Sequence, residues 1–516
     1  MGVFQNNLMG AAAAAASGGG GGDFYSYQIA NSARFDGSAS YLNKTWGSAP
    51  SSTTQVALSV WLKKTFTGDV NPVSIFTAVG NTGSFYFNND DAIADNLAYY
   101  MGGGGVNGYT TNIKYRDPSA WFHFVAIINS AASNDYDRLK IYINGELIAL
   151  NGGEWTQNAG YPNTSTPDAG KNGVANYIGR YGSASRYWSG YMADFIQIDG
   201  AAAISDFGET KNGVWIPKDP SGLTFGNNGF HLNFASSGDM GNDVSGNNND
   251  WTANSISAHD QMLDSPTFNS DSNGGNFATM NPLSNGSNPV LGEGNLMMDS
   301  FSGSDISGSL ANFALPASSG KWYFECFINA PNSGDNYPFI GLTATQYSQS
   351  ATMGVSQRDL SINLGTGGSE KNETYVGSIT TDFTGVSNYA DNTICGVFVD
   401  MDARKLWYAK DGAFFNSGNP QTGANPQYAW TNNVPLLPHF ISFSGYGADS
   451  VFNFGQEGTF AGNITAGGNA DVTGYGNFKY DPGDYKALCA GNLPVADAVD
   501  PAQTSDAYPS KVFSAI

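Results

Sequence analysis

The sequence predicts an all-β protein of two β-sandwich domains, joined by a loop-rich connector and preceded by a flexible N-terminal arm. Three observations predict it. Short apolar runs alternate with polar residues at period two, the signature of strands. Gly-, Asn- and Ser-rich segments, drawing on 66 glycines, separate those runs as turns do. Two hairpin signals, Asn144-Gly145 and Asp411-Gly412, stand between strand-like runs. The 516 residues are too many for one ordinary core. Aromatic residues at 13% supply the apolar area that two cores need, although charged residues are only 13% of the chain.

In chain order, residues 1–22 are the arm: a polar start, then Ala11 to Ala16, Ser17 and Gly18 to Gly22. It has neither the basic start nor the long apolar core of a signal peptide. Asn6 replaces the Ser or Thr of a myristoylation motif. The arm is either a flexible leader or a segment that docks into a larger assembly.

Residues 23–215 form the first domain. Val56, Leu58, Val60 and Leu62 alternate with Ala57, Ser59, Trp61 and Lys63, as in a half-buried strand. Phe122, Phe124 and Ala126 continue the pattern, and Leu139, Ile141 and Ile143 run into Asn144-Gly145. Residues 216–300 are the connector, with occasional strand material such as GFHLNFA, either a separate link or strands that complete one sandwich edge. Residues 301–458 form the second domain. There Trp322, Phe324, Cys326 and Ile328 alternate with Tyr323, Glu325 and Phe327, and a second run leads through Leu406, Trp407 and Tyr408 to Asp411-Gly412. Residues 459–516 are a C-terminal tail.

In order, ARFDGSASYL, ALSVWLKK, WFHFVAII, RLKIYINGELI and YIGRYGSASRYWSGYMADFIQIDGAAAI resemble the laminin-G-like, concanavalin-A-like lectin and glucanase superfamily. That resemblance implies a jelly-roll sandwich but no particular ligand. GKWYFECFI, FIGLTA, CGVFVDMDARKLWYAKDGAFF, VPLLPHFISFS and VFNFGQ resemble a SPRY domain, a second two-sheet sandwich that mostly binds proteins through its loops. Residues 274–296 and 478–494 resemble segments around such domains in marine bacteriophage virion proteins, tail fibres included. These resemblances together imply a protein of the virion surface. It would contact other virion proteins through its arm and a host surface glycan or protein through its sandwiches. Homo-oligomerisation is implied by analogy with fibres, without coiled-coil heptads to support it.

A net charge of −22 disfavours nucleic acid and anionic membrane surfaces while suiting divalent cations and neutral sugars. No run is long and apolar enough for membrane insertion. Cys326, Cys395 and Cys489 have neither disulfide-framework nor zinc spacing, and the first two read as buried small hydrophobes.

Catalytic residues are not expected. Retaining glucanases of this fold place two carboxylates on one strand face, in a Glu-X-Asp-X-Glu run. Here Glu146 and Glu154 fall in a hairpin and a loop, and Glu325 stands alone on its strand. His123, His231, His259 and His439 lie far apart, without metal-ligand spacing. No nucleophile elbow or phosphate loop occurs.

Calcium, the one cofactor considered, would use Asp90, Asp91 and Asp95, or Asp239, Asp243 and Asp250; solvated turns explain the same acids. Asp194 falls on the same face as Met192, Ile196 and Ile198, so it needs a partner, either as a strand-end hydrogen-bond acceptor or as a loop-facing ligand. Ligand contact is assigned to loop aromatics: Trp155, Tyr181, Tyr187 and Trp188, with Trp155 and Trp188 the best exposed. Such residues also seal sandwich ends. The function expected is a phage tail fibre or receptor-binding subunit. The alternatives are a capsid decoration or head-fibre protein anchored by its arm, and a polysaccharide-degrading enzyme.

Overall fold

In the computed structural model the described residues are 24–67, 73–79, 83–87, 95–101, 107–148, 150–151, 166–182, 186–268, 273–285, 291–298, 306–329, 338–344, 359–366, 368–371, 373–443 and 449–493. They form two compact units, residues 24–268 and residues 273–493. The N-terminal arm lies outside the described residues.

Each unit is built on two largely antiparallel sheets. In the first, one sheet runs from Leu139–Ile143 through Trp121–Asn129, Gln55–Lys64 and Ser189–Ile198 to Ser32–Asp36. The other runs from Asn107–Lys114 through Asn96–Met101, Ser84–Phe87, Val73–Ala78 and Ala175–Ile178 to Tyr41–Thr45. Val56, Leu58, Val60 and Leu62 enter the core between the sheets with Phe122, Phe124, Ala126, Leu139, Ile141 and Ile143. The alternation thus reports the inward face correctly.

The opposite face of the Gln55–Lys64 sheet is not solvated, which corrects the half-buried reading. Ala57, Val125, Ile196 and Ile198 pack there under Phe207 and Phe225. Phe24 and Tyr25 pack against Ile216 and Phe268 in a further cluster. Under such cover even Lys63 has no exposed side-chain surface, and its ammonium meets Asp264 Oδ2 at 2.6 Å.

Two boundaries are corrected as well. The connector ceases to be one piece, because Phe230–Leu232 pairs with Ser189–Ile198, Thr252–Asn254 with Tyr41–Thr45, and Gln261–Met262 with Ser32–Asp36. Backbone pairing therefore ties residues 216–268 into the first unit. In the second unit, Met280–Asn285 pairs with Ile306–Ala311 and Met297–Met298 with Asp449–Asn453. The tail joins that unit too: Lys486–Ala487 runs parallel to Lys321–Asn329. Residues 274–278 and 488–491 meet here, with the Ala278, Ala490 and Gly491 amides donating to the Leu488, Asn276 and Gly274 carbonyls.

The second unit's larger sheet centres on Lys321–Asn329, between Thr393–Asp400 and Asp449–Asn453. Trp322 to Ile328 are all buried; residues 460–485 supply Phe478 over Tyr323 and Phe460 over Phe327, with Tyr485 over Phe398 on the neighbouring strand. Cys326 faces Cys395 across the ladder, both buried and unbridged, and burial pushes the Cys395 thiol up to about 12.

Both hairpin signals hold. Asn144 and Gly145 have φ of 50° and 81°, Asp411 and Gly412 of 48° and 79°, the positive pair of a type I′ turn. Each glycine also receives an aromatic ring from a later segment. An added Cβ would lie 2.4 Å from Trp215 at Gly145 and 2.7 Å from Tyr480 at Gly412.

Candidate functional site

The acids considered for calcium are already engaged where they are described. Asp90 and Asp91 lie outside the described residues. Asp95 is buried and holds Lys64 at 3.1 Å and Arg116 at 3.0 Å, one through each carboxylate oxygen. Asp243 accepts the His231 and Ser245 amides on Oδ1, and the Asn249 amide and Ser245 hydroxyl on Oδ2. It pins a turn. Asp239 is exposed and accepts the Gly241 amide at 3.2 Å. Among the described residues no group of three or more acids, histidines or cysteines is placed to hold a metal. Calcium ligation by Asp95 or Asp243 is therefore set aside, because their oxygens already face donors.

Asp194 occupies a bulge. The register against Gln55–Lys64 shifts between Ala193 and Ile196, with Asp194 at φ 52°. Met192 and Phe195 consequently point into the core while Ile196 and Ile198 lie on the other face, so the single-face reading is corrected. The partner Asp194 requires is double: His231 Nε2–H donates to it, and the Tyr27 hydroxyl donates at 3.1 Å. His123 is likewise an interior residue. The Trp215 indole donates to its Nδ1 at 2.9 Å, leaving Nε2–H to donate to Ser59 Oγ at 2.7 Å. Burial holds its pKa down to about 3, so the ring is neutral.

The assigned aromatics divide. Trp155 lies outside the described residues. Trp188 is 0% exposed and packs its ring on Phe66 and Phe87, so it belongs to the core and offers no contact surface. Its alternation partner Tyr187 points outward. The chain reverses between them and Ile178: the Trp188 amide donates to the Gly179 carbonyl, and Tyr181 to that of Arg186. Arg180 and Tyr187 face each other across this reversal.

That pairing assembles a platform on the outward face of the Tyr41–Thr45 sheet. Leu42 and Ile178 go into the core, so their neighbours Tyr41 and Tyr177 must face away from it. Arg180 places its guanidinium 4.6 Å from the Tyr41 ring centre, 5.5 Å from Tyr177 and 5.7 Å from Tyr187. Tyr41 packs on both other rings at 6.0 and 6.1 Å. All four side chains are half-buried. On the same face the Asn254 amide donates to Asn43 Oδ1 at 2.7 Å. Beside the platform, Arg186 lies 4.8 Å from the Tyr181 ring, which meets Tyr86 edge-on at 6.4 Å.

Tyr181 and Tyr187 were thus anticipated, whereas Tyr41, Tyr177, Arg180 and Arg186 were missed. Their signal was present: Tyr41-Leu42-Asn43 and Asn176-Tyr177-Ile178 each set a tyrosine opposite a core residue. Chemically, ring faces stack on the C–H faces of sugars or on apolar side chains, and in-plane guanidinium N–H groups donate to hydroxyls or carboxylates.

No protein-family model matches the sequence, and no curated protein does. Among solved structures, the chain is similar to the SPRY domain of human HERC1 at 16% identity, covering 34% of this chain and 96% of that one, with a TM-score of 0.26. A heptameric SAP-like pentraxin from Limulus polyphemus matches at 16% identity, covering 35% and 81%, with a TM-score of 0.26. A Bacteroides ovatus protein described as carbohydrate-binding matches at 16% identity, covering 45% and 60%, with a TM-score of 0.32. The fold assignment rests on the sheets themselves.

Proposed function

We propose that this chain is a non-catalytic binding protein of a phage particle surface, a tail fibre or receptor-binding subunit whose first unit meets a host glycan. The observation that carries the binding reading is the half-exposed set Tyr41, Tyr177 and Tyr187 around Arg180. A sandwich gains stability by hiding aromatic area; three tyrosines and a cation kept at the surface are contact chemistry. The particle setting is supported by the resemblance of residues 274–296 and 478–494 to virion segments and by the arm before residue 23.

The test is a glycan array probed with the full chain, together with inhibition of phage adsorption by the purified protein. Retained glycans should be lost on Tyr177→Ala and Tyr187→Ala, each weakening binding by about 1–3 kcal/mol at a stacking contact. A protein that binds no glycan and leaves adsorption unchanged would instead be a decoration protein. Deleting residues 1–22 and measuring incorporation into particles addresses that alternative. Reducing ends released from host polysaccharide would establish the enzymatic one.

A further inference from the structure

We infer that the platform takes an acidic sugar, with Arg180 as the residue that receives the ligand's carboxylate. This rests on the glycan reading above and narrows it, since net charge alone pointed to neutral sugars. In the same unit Arg34 and Lys64 are 3.0 and 3.1 Å from a carboxylate. Lys63 is equally paired, at 2.6 Å. In a chain with 44 acids and 22 basic residues, pairing is the expected fate of a cation. Lys44, Lys211 and Lys218 donate to backbone carbonyls instead, and among the described residues Arg180 does neither. It has no carboxylate partner there; its Nε is buried without a hydrogen bond, and tyrosine rings take the place of an anion.

Ring contacts of this kind engage a guanidinium's charge without using its N–H donors. With Nε buried, the fork left for a bidentate carboxylate is the pair of terminal NH2 groups; the rings pre-position it, and its side-chain entropy is already spent. Arg186, across the same reversal, adds a second cation held by Tyr181 and without a carboxylate partner among the described residues. The arrangement matches a carboxylate-bearing pyranose: a tyrosine ring under the C–H face and the guanidinium at the ring-borne carboxylate. Uronic and sialic acids share that chemistry.

The experiment is calorimetric titration of the full chain with tetragalacturonate, with a sialic acid tetramer, and with carboxyl-reduced tetragalacturonate. The reduced tetramer keeps every ring and loses only the charge. The expected result is binding of at least one acid that is tenfold or more tighter than the reduced form. Arg180→Gln should abolish that preference and Arg180→Lys should retain part of it, with circular dichroism unchanged in both. Equal binding of the acidic and reduced tetramers, or a preference that survives Arg180→Gln, overturns the inference while glycan binding stands. A tetra-aspartate peptide that binds as tightly as the acids also overturns it, as a charge effect without sugar recognition. No binding to these or to any neutral glycan on the array removes the glycan reading itself.

Discussion

The two units bury charge beneath a covered sheet in opposite ways. In the first, Lys63 and Asp264 form a fully buried pair, and the Trp121 indole donates to the second carboxylate oxygen at 2.7 Å. In the second, Glu325 is alone. It accepts from the Tyr323 hydroxyl, the Asn453 side chain and the Lys479 and Tyr480 amides at 2.8–3.3 Å, with no cation among these donors. Burial pushes its carboxyl up to about 7, and the four donors hold it below where burial alone would take it. Both acids tie a distant segment to a central strand: Asp264 brings the end of the first unit to Lys63, and Glu325 holds the start of residues 479–487. A paired charge makes that tie at the cost of two desolvated ions. A lone carboxyl makes it with neutral donors and becomes sensitive to protonation.

The sharpest way to break the comparison is to remove one partner on each side. Lys63→Met should cost about 3–5 kcal/mol in denaturant unfolding, because it strands a buried carboxylate. A cost below 1 kcal/mol would mean Asp264 is as self-sufficient as Glu325.

The next effect is pH. With a folded pKa of about 7 against the ordinary 4.5 of a free glutamate, native Glu325 keeps a proton that the unfolded chain releases. Its contribution to stability is therefore complete below pH 4.5, falls as pH rises to about 7, and is flat above. The total change is about 3 kcal/mol at roughly 1.4 kcal/mol per pH unit. Urea midpoints of the second unit across this range check it, and Glu325→Gln should flatten the slope. A slope of the same size in the variant would assign it elsewhere.

The smallest effect concerns a device the units share. Gly145→Ala and Gly412→Ala each impose positive φ on a side chain and drive a Cβ into a ring, at about 1–3 kcal/mol. Trp215 stands closer than Tyr480, so the first substitution should cost more in thermal unfolding. Equal costs would trace the penalty to φ alone.

Local signals were the readable ones. Val56 to Leu62, Leu139 to Ile143 and Trp322 to Ile328 announced their strands, since side-chain period is a property of a few consecutive residues. Asn144-Gly145 and Asp411-Gly412 announced their turns because positive φ is decided by the residue itself. The candidate site was half visible. Tyr181 and Tyr187 stood out beside glycines, while Trp188, one residue on, had the same local appearance and proved to be core.

What the sequence determined alone was therefore period and turn: which residues share a face, and where the chain reverses. It left undecided whether a face is covered, because the cover comes from far along the chain: Asp264 for Lys63, residues 460–485 for the strand of Glu325. The bulge at Asp194 and the gathering of Tyr41, Tyr177 and Tyr187 around Arg180 were decided at the same level. They depend on register between strands that meet only after the chain has closed on itself, and no local preference carries that information.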